Sequence, residues 1–169
     1  MLQRKSTTKK LVVTALFAAF TMLSTLLFQF PIAHGYVHLG DAFVLLSAFI
    51  LGPVWGVAAA GIGSALADVC SGYIIYAPAT FVIKAAMAMV SWAVGKTLTK
   101  LLKKQLVAEV IAGIIATCVM AAGYFLYETL LYSMAGAIVN VPWSCLQGGV
   151  GMVVSVLIMQ LPVVRKLRL

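Results

Sequence analysis

Five polar side chains stand where an apolar chain does not ordinarily carry them. Asp41, Asp68, Lys84, Glu128 and Gln147 each fall within or at the edge of a long hydrophobic run. A charged group in hydrocarbon is costly, and such groups face one another, a ligand or a wet cavity. At 1.5 Å per helical residue, Lys84 falls roughly 9 Å and Glu128 roughly 5 Å below one and the same surface. Gln147 lies about one turn into the last run. The chemistry on offer is ion pairing and hydrogen bonding. Either a Lys84–Glu128 or a Lys84–Asp68 pair holds helices together, or at least one member of the group contacts a small molecule. Asp41 reads as a helix N-cap, because a carboxylate there accepts from free backbone N–H groups. Glu109, near the opposite surface, reads as an ordinary interfacial acid.

Other chemistry finds little support. His34 and His38 are separated by Gly35 in a loop, and the surrounding residues are not HExxH, so no zinc-protease arrangement follows. There is no GxSxG, no phosphate-binding glycine loop and no paired-acid arrangement with a water activator. Cys70, Cys118 and Cys145 have no metal spacing. They read as small packing residues, with a Cys70–Cys145 bridge near the outer surface as the alternative. No catalytic residue, metal site or cofactor is assigned. The tyrosines are more informative. All six (Tyr36, Tyr73, Tyr76, Tyr124, Tyr127, Tyr132) fall on one side of the predicted membrane. Anchoring alone would decorate both interfaces, so one-sided tyrosine suggests a site. Tyr36, His38, Asp68, Tyr73, Tyr76, Tyr132, Asn140 and Trp143 join Lys84, Glu128 and Gln147 as its candidate lining.

The elements that must position these groups are membrane helices. The chain has 169 residues, 63% hydrophobic and 9% charged, with a mean hydropathy of +1.10. Soluble chains are about 45–50% apolar and about 25% charged. Residues 1–169 read as one integral membrane domain, all-α, with six transmembrane helices at about 11–30, 39–51, 54–69, 79–95, 106–131 and 143–161. The second is too short to span alone. A net charge of +8 raises nucleic acid as a partner, but position decides against it. Eleven of the twelve basic residues lie before the first run, between Lys96 and Lys104, or after Leu161. That clustering marks cytoplasmic segments, so both termini are predicted to be cytoplasmic, with Trp55 and Trp92 at the inner boundary. The first run is too long for a signal-peptide core and reads as a retained helix. Gly56, Ala60, Ser64 and Asp68, and Gly148, Gly151 and Ser155, place small or polar groups on helix faces where backbones approach closely.

Several stretches resemble a known family. Ala15-x-x-x-Ala19, Tyr36-Val37-His38-Leu39-Gly40-Asp41, Leu51-Gly52-Pro53, Gly61 through Asp68 and Ser71-Gly72-Tyr73 are similar to the substrate-binding S component of energy-coupling factor (ECF) vitamin transporters. The resemblance covers the chain and is specific from about Ala15 to Ala88. It implies a high-affinity vitamin-binding subunit in a prokaryotic cell membrane. Its partners would be a transmembrane coupling subunit, docked on Ala15 and Ala19, and two ABC-type ATPases that supply the energy. The cavity would open outward, walled by the last three helices and covered by the loop from Pro31 to His38. Nickel and cobalt members are expected to begin Met-His; this chain begins Met1-Leu2. The lead substrate is a pyridoxine or hydroxymethylpyrimidine type of vitamin, whose ring would stack on tyrosine or tryptophan. Pantothenate held by Lys84 is the alternative, and a stand-alone secondary transporter or a membrane enzyme using Lys84, Glu128 and His34 are the rivals.

Overall fold

The computed structural model describes residues 2–32 and 35–165, with side chains from Thr7 onward. His34, Lys166 and Arg168 lie outside the described residues. Helix α1 (Leu2–Leu27) leads into a two-residue antiparallel ladder, β1 (Phe30–Pro31) with β2 (Tyr36–Val37), in which Phe30 opposes Val37 and Pro31 opposes Tyr36. Then follow α2 (Asp41–Cys70), α3 (Ala77–Leu102), α4 (Gln105–Leu131), α5 (Met134–Met159) and the single turn α6 (Pro162–Arg165). The first five helices are long and apolar enough to cross a membrane. Their lipid-facing surface exposes Leu16, Phe20, Ile114, Leu126 and Leu157.

The predicted second and third helices are the two arms of α2. Gly52, at φ 79° and ψ −165°, breaks the helix between them, a conformation open to glycine and closed to residues bearing a Cβ. Ser47 Oγ donates to the Gly56 carbonyl at 3.0 Å. In an unbroken helix nine residues would separate them by roughly 13 Å, so the arms fold back on each other. The first arm, residues 41–51, is roughly 16 Å long and runs through the centre of the bundle, where Val44, Leu45 and Ala48 are fully buried against Met87 and Met120.

Other boundaries move as well. Helix α1 begins before Leu11 and stops at Leu27, where the chain turns into the ladder. Helix α3 continues past Gly95 to Leu102 and ends where Lys103 turns left-handed at φ 53°, so Lys96 and Lys100 are helical. Helix α5 begins at Met134 rather than Trp143. Ser133 caps it by accepting from Gly136 N–H at 3.2 Å, and the expected loop with Gly136 and Asn140 is its first two turns. Pro142 is accommodated inside it, as membrane helices allow when neighbours satisfy freed backbone groups. All three cysteines are free and exposed, so the Cys70–Cys145 bridge is not formed and none is a core packing residue.

Small residues do bring the helices together. A Cβ on Gly63 would lie 2.4 Å from the Ala18 carbonyl oxygen of α1, and one on Gly151 would lie 2.7 Å from Asp41 Cβ. Contact at such range needs the small side chain. The second approach matters most, because it seats α5 against the start of the central arm.

Candidate functional site

The central arm is too short to span the bundle, so its first residue lies deep within it. That residue is Asp41. Its carboxylate forms an ion pair with Lys84 of α3, both side chains at 0% exposure, and accepts from Gln147 Nε2 of α5 at 2.8 Å. Lys84 Nζ also lies 2.8 Å from Met120 Sδ and 5.4 Å from the centre of the Tyr124 ring. Neither expected partner of Lys84 is its partner. Nor is Asp41 an N-cap: Gly40 holds that position, and a capping side chain must precede the first helical residue rather than be it.

Above this floor the loop from β2 to α2 descends from the rim. His38 N–H donates to Gln147 Oε1 at 3.1 Å, so one glutamine ties the loop to the buried pair. His38 Nδ1 accepts from Gly40 N–H at 3.0 Å, with Thr25 Oγ1 at 3.4 Å. Burial pushes the His38 imidazole down to about 4, assisted by the Lys84 charge and opposed by that of Asp41. Tyr36 donates its hydroxyl to Asp68 Oδ1 at 2.6 Å. Burial, and then the neighbouring carboxylate, raise the Tyr36 phenol well above its ordinary value, which keeps it a donor.

Between loop and floor is a cleft with about 460 Å³ of empty space, part of it open to solvent. It is lined by Ile32, Gly35, Tyr36, Val37, His38, Asp68, Tyr73, Tyr76, Thr80, Tyr124, Glu128, Ser144 and Gln147. Aromatic rings run along one wall: Tyr36 and Tyr73 have centroids 5.0 Å apart and Tyr73 and Tyr76 6.3 Å, and Tyr127, outside the lining, packs 5.5 Å from Tyr76. Glu128 receives Asn140 Nδ2 at 3.1 Å on each oxygen and the Tyr76 hydroxyl at 3.5 Å. Tyr124 donates its hydroxyl to Thr80 Oγ1 at 3.1 Å.

Seven of the candidate residues therefore meet around one cleft: Tyr36, His38, Asp68, Tyr73, Tyr76, Glu128 and Gln147. Asn140 is buried behind Glu128, and Lys84 lies beneath the floor. Tyr132, with its hydroxyl 3.4 Å from that of Tyr76, is half exposed at the rim. Trp143 does not line the cleft. Helix α5 turns Ser144 and Gln147 inward and leaves Trp143 43% exposed on its flank. Thr80, Tyr124 and Ser144 were not among the candidates. Helical spacing held the signal for two of them, since Thr80 is four residues before Lys84 and Ser144 three before Gln147.

Away from the cleft, Ala15 and Ala19 are exposed on α1, which turns Thr21 and Thr25 into the bundle. Glu109, near the start of α4, is buried and accepts from Gln105 Nε2 at 2.7 Å and Gln160 Nε2 at 3.5 Å.

Comparison with known proteins adds three findings. Residues 5–163 match a family model described as ECF-type riboflavin transporter, S component. An uncharacterised protein of Pyrococcus woesei, described as lying in a gap 3' region, is 36% identical over 118 residues, spanning 69% of this chain and 76% of that one. The structure described as the S component of a bacterial ECF transporter aligns with a TM-score of 0.70 over 91% of this chain and 95% of that chain, at 24% identity, and so shares the fold.

Proposed function

The chain belongs to the S-component family of ECF-type riboflavin transporters, and we propose that its tyrosine-walled cleft binds a neutral, hydroxyl-bearing heteroaromatic vitamin, riboflavin first. As an S component it is a multi-pass substrate-binding subunit of a prokaryotic membrane transporter rather than an enzyme, and it works with the ECF energising module.

The observation that carries the substrate reading is the charge of the lining. Asp68 and Glu128 face the cleft among tyrosines, while Lys84 is spent on Asp41 below it. Tyrosine faces suit a flat ring, and carboxylates suit its N–H or O–H groups. A carboxylate vitamin such as pantothenate loses the cation that recommended it. Pyridoxine or a hydroxymethylpyrimidine remains the second reading, since the same tyrosine faces and carboxylates would serve a single hydroxyl-bearing ring.

In the same reading both termini are cytoplasmic and the cleft opens outward. The exposed Ala15 and Ala19 face receives a transmembrane coupling subunit that carries two ABC-type ATPases.

Mass spectrometry of ligand released from purified protein tests the substrate, together with titration of flavin fluorescence, which stacking on tyrosine quenches. Co-purified riboflavin or saturable quenching is the expected result. Release of pyridoxine or a pyrimidine selects the second reading, and release of an acidic vitamin sinks both.

A further inference from the structure

Two carboxylates face the cleft, but they differ in what they have left to offer. Glu128 is engaged by the Asn140 amide on both oxygens and by Tyr76. Asp68 spends Oδ1 on the Tyr36 hydroxyl and has the Thr80 hydroxyl nearby, while its Oδ2 is buried with no hydrogen-bond partner within 3.5 Å among the described residues. The residue is only 6% exposed. A buried acceptor left empty is costly and calls for a partner.

His38 holds the complementary capacity. Its Nδ1 accepts the Gly40 N–H at 3.0 Å, so that nitrogen carries the lone pair. In a neutral imidazole the proton is then on Nε2, a pure donor. No hydrogen bond engages Nε2 among the described residues, and His38 is one of the residues that line the cleft. The depressed His38 pKa agrees with a neutral ring. Tyr36 adjoins both groups, with its ring 5.6 Å from that of His38 and its hydroxyl on Asp68.

We propose that Asp68 and His38 are the polar recognition pair of the cleft: Asp68 Oδ2 accepts from an N–H or O–H of the bound molecule, and His38 Nε2–H donates to its ring nitrogen or carbonyl oxygen. This deepens, and rests on, the vitamin-binding reading above. The ligand class is a heteroaromatic with one donor and one acceptor and no carboxylate, since an anion would meet the Asp68 charge.

Purified full-length protein should be titrated with riboflavin, pyridoxine and hydroxymethylpyrimidine, and with the variants Asp68→Asn, His38→Phe and His38→Gln. For the compound that binds, Asp68→Asn and His38→Phe should each weaken affinity by about tenfold or more. His38→Gln, whose amide nitrogen stands near the place of Nε2, should recover much of the loss. Thermal melting identifies any variant that fails to fold. Nitrogen NMR of labelled histidine in the unchanged protein is independent of folding defects. It should show a histidine protonated on Nε2 whose resonance moves when ligand is added. Binding by the unchanged protein that folded Asp68→Asn and His38→Phe leave intact overturns the pair alone, as does an unmoved Nε2 resonance. Binding of none of the three compounds overturns the vitamin reading and the pair with it.

Discussion

Lys84 and Asp41 form an ion pair in which neither side chain is exposed at all. The pair joins the first third of α3 to the first residue of the central arm, and Gln147 adds α5 to the same point. Its position explains its composition. A short helix that begins inside the membrane brings its charged first residue with it, and a cation from a neighbouring helix offsets that charge. The pair is also the base on which the loop rests, since Gln147 holds His38 N–H on its other side.

Removing one partner should therefore harm the fold more than the binding of a neutral ligand. Breaking a buried pair leaves an uncompensated charge and costs about 3–5 kcal/mol. Lys84→Met should lower the melting temperature in detergent sharply, whereas Lys84→Met with Asp41→Asn should regain much of the loss, because both charges are gone. Equal melting of the single variant and the unchanged protein would show that the pair is not structural.

Hydropathy made the membrane helices legible, and Gly52-Pro53 marked the reversal between the arms of α2. The same rule misplaced the start of α5. Gly136, Asn140 and Pro142 read as loop residues in water, but in a membrane helix their neighbours satisfy the backbone. That several tyrosines and acids would gather around one cleft was legible from their shared depth. The partner of Lys84 was not. That choice depends on how deep the short arm begins, which is set by the close approach of Gly151 to Asp41 and has no local sequence signature. Trp143 failed for a related reason, since a one-residue difference in phase along α5 separates the cleft face from the lipid face.

Acid should destabilise the loop. In the unfolded chain a histidine titrates at about 6.5, whereas His38 in the fold titrates at about 4. Between those values the unfolded chain holds a proton that the folded one does not, so stability rises with pH across that window. Melting temperature should fall as pH drops from about 6.5 to about 4, with the His38 contribution flat above the window and fully lost below it. His38→Gln should remove that part of the slope. An unchanged slope in the variant would assign the acid sensitivity to another group.

Bulk at the closest helix approach should separate α5 from the central arm. A Cβ on Gly151 would sit 2.7 Å from Asp41 Cβ and 3.0 Å from the Ala42 backbone nitrogen, and backbone cannot swing aside as a side chain can. Gly151→Val should cost about 1–3 kcal/mol or more through overpacking and pull Gln147 away from Asp41. Gly149→Val, with no atom within 4 Å of its added Cβ, is the control. Similar melting temperatures for the two variants would contradict the packing described.

Ligand should quiet the loop over the cleft. Ile32, Gly35, Tyr36, Val37 and His38 all line it, so a bound molecule adds contacts to a segment whose backbone is held by a two-residue ladder and the His38 bond to Gln147, and whose side chains are held by the Tyr36 bond to Asp68. Segments of that kind open readily. Amide hydrogen exchange from Tyr36 to Gly40 should slow on saturation with vitamin, while exchange in the middle of α4 stays as it was. Exchange that is identical with and without ligand would leave the loop a fixed wall rather than a cover.

The proposed docking face allows binding to be tested apart from transport. Ala15 and Ala19 are exposed on α1, one turn apart, between exposed Leu11, Leu16 and Phe20. Small residues flanked by large ones form a notch into which another helix can settle closely. The notch is far from the cleft: from Ala15 to the end of α1 at Leu27 is roughly 18 Å of helix at 1.5 Å per residue. Since neither alanine packs inside the bundle, tryptophan at both positions should leave folding intact. Ala15→Trp with Ala19→Trp should keep vitamin affinity in the isolated subunit yet abolish ATP-driven uptake when the coupling subunit and ATPases are present. Loss of both affinity and uptake would mean that the alanines serve this chain's own packing, against their exposure. Full uptake by the well-expressed double variant would move the docking surface to another face of the bundle.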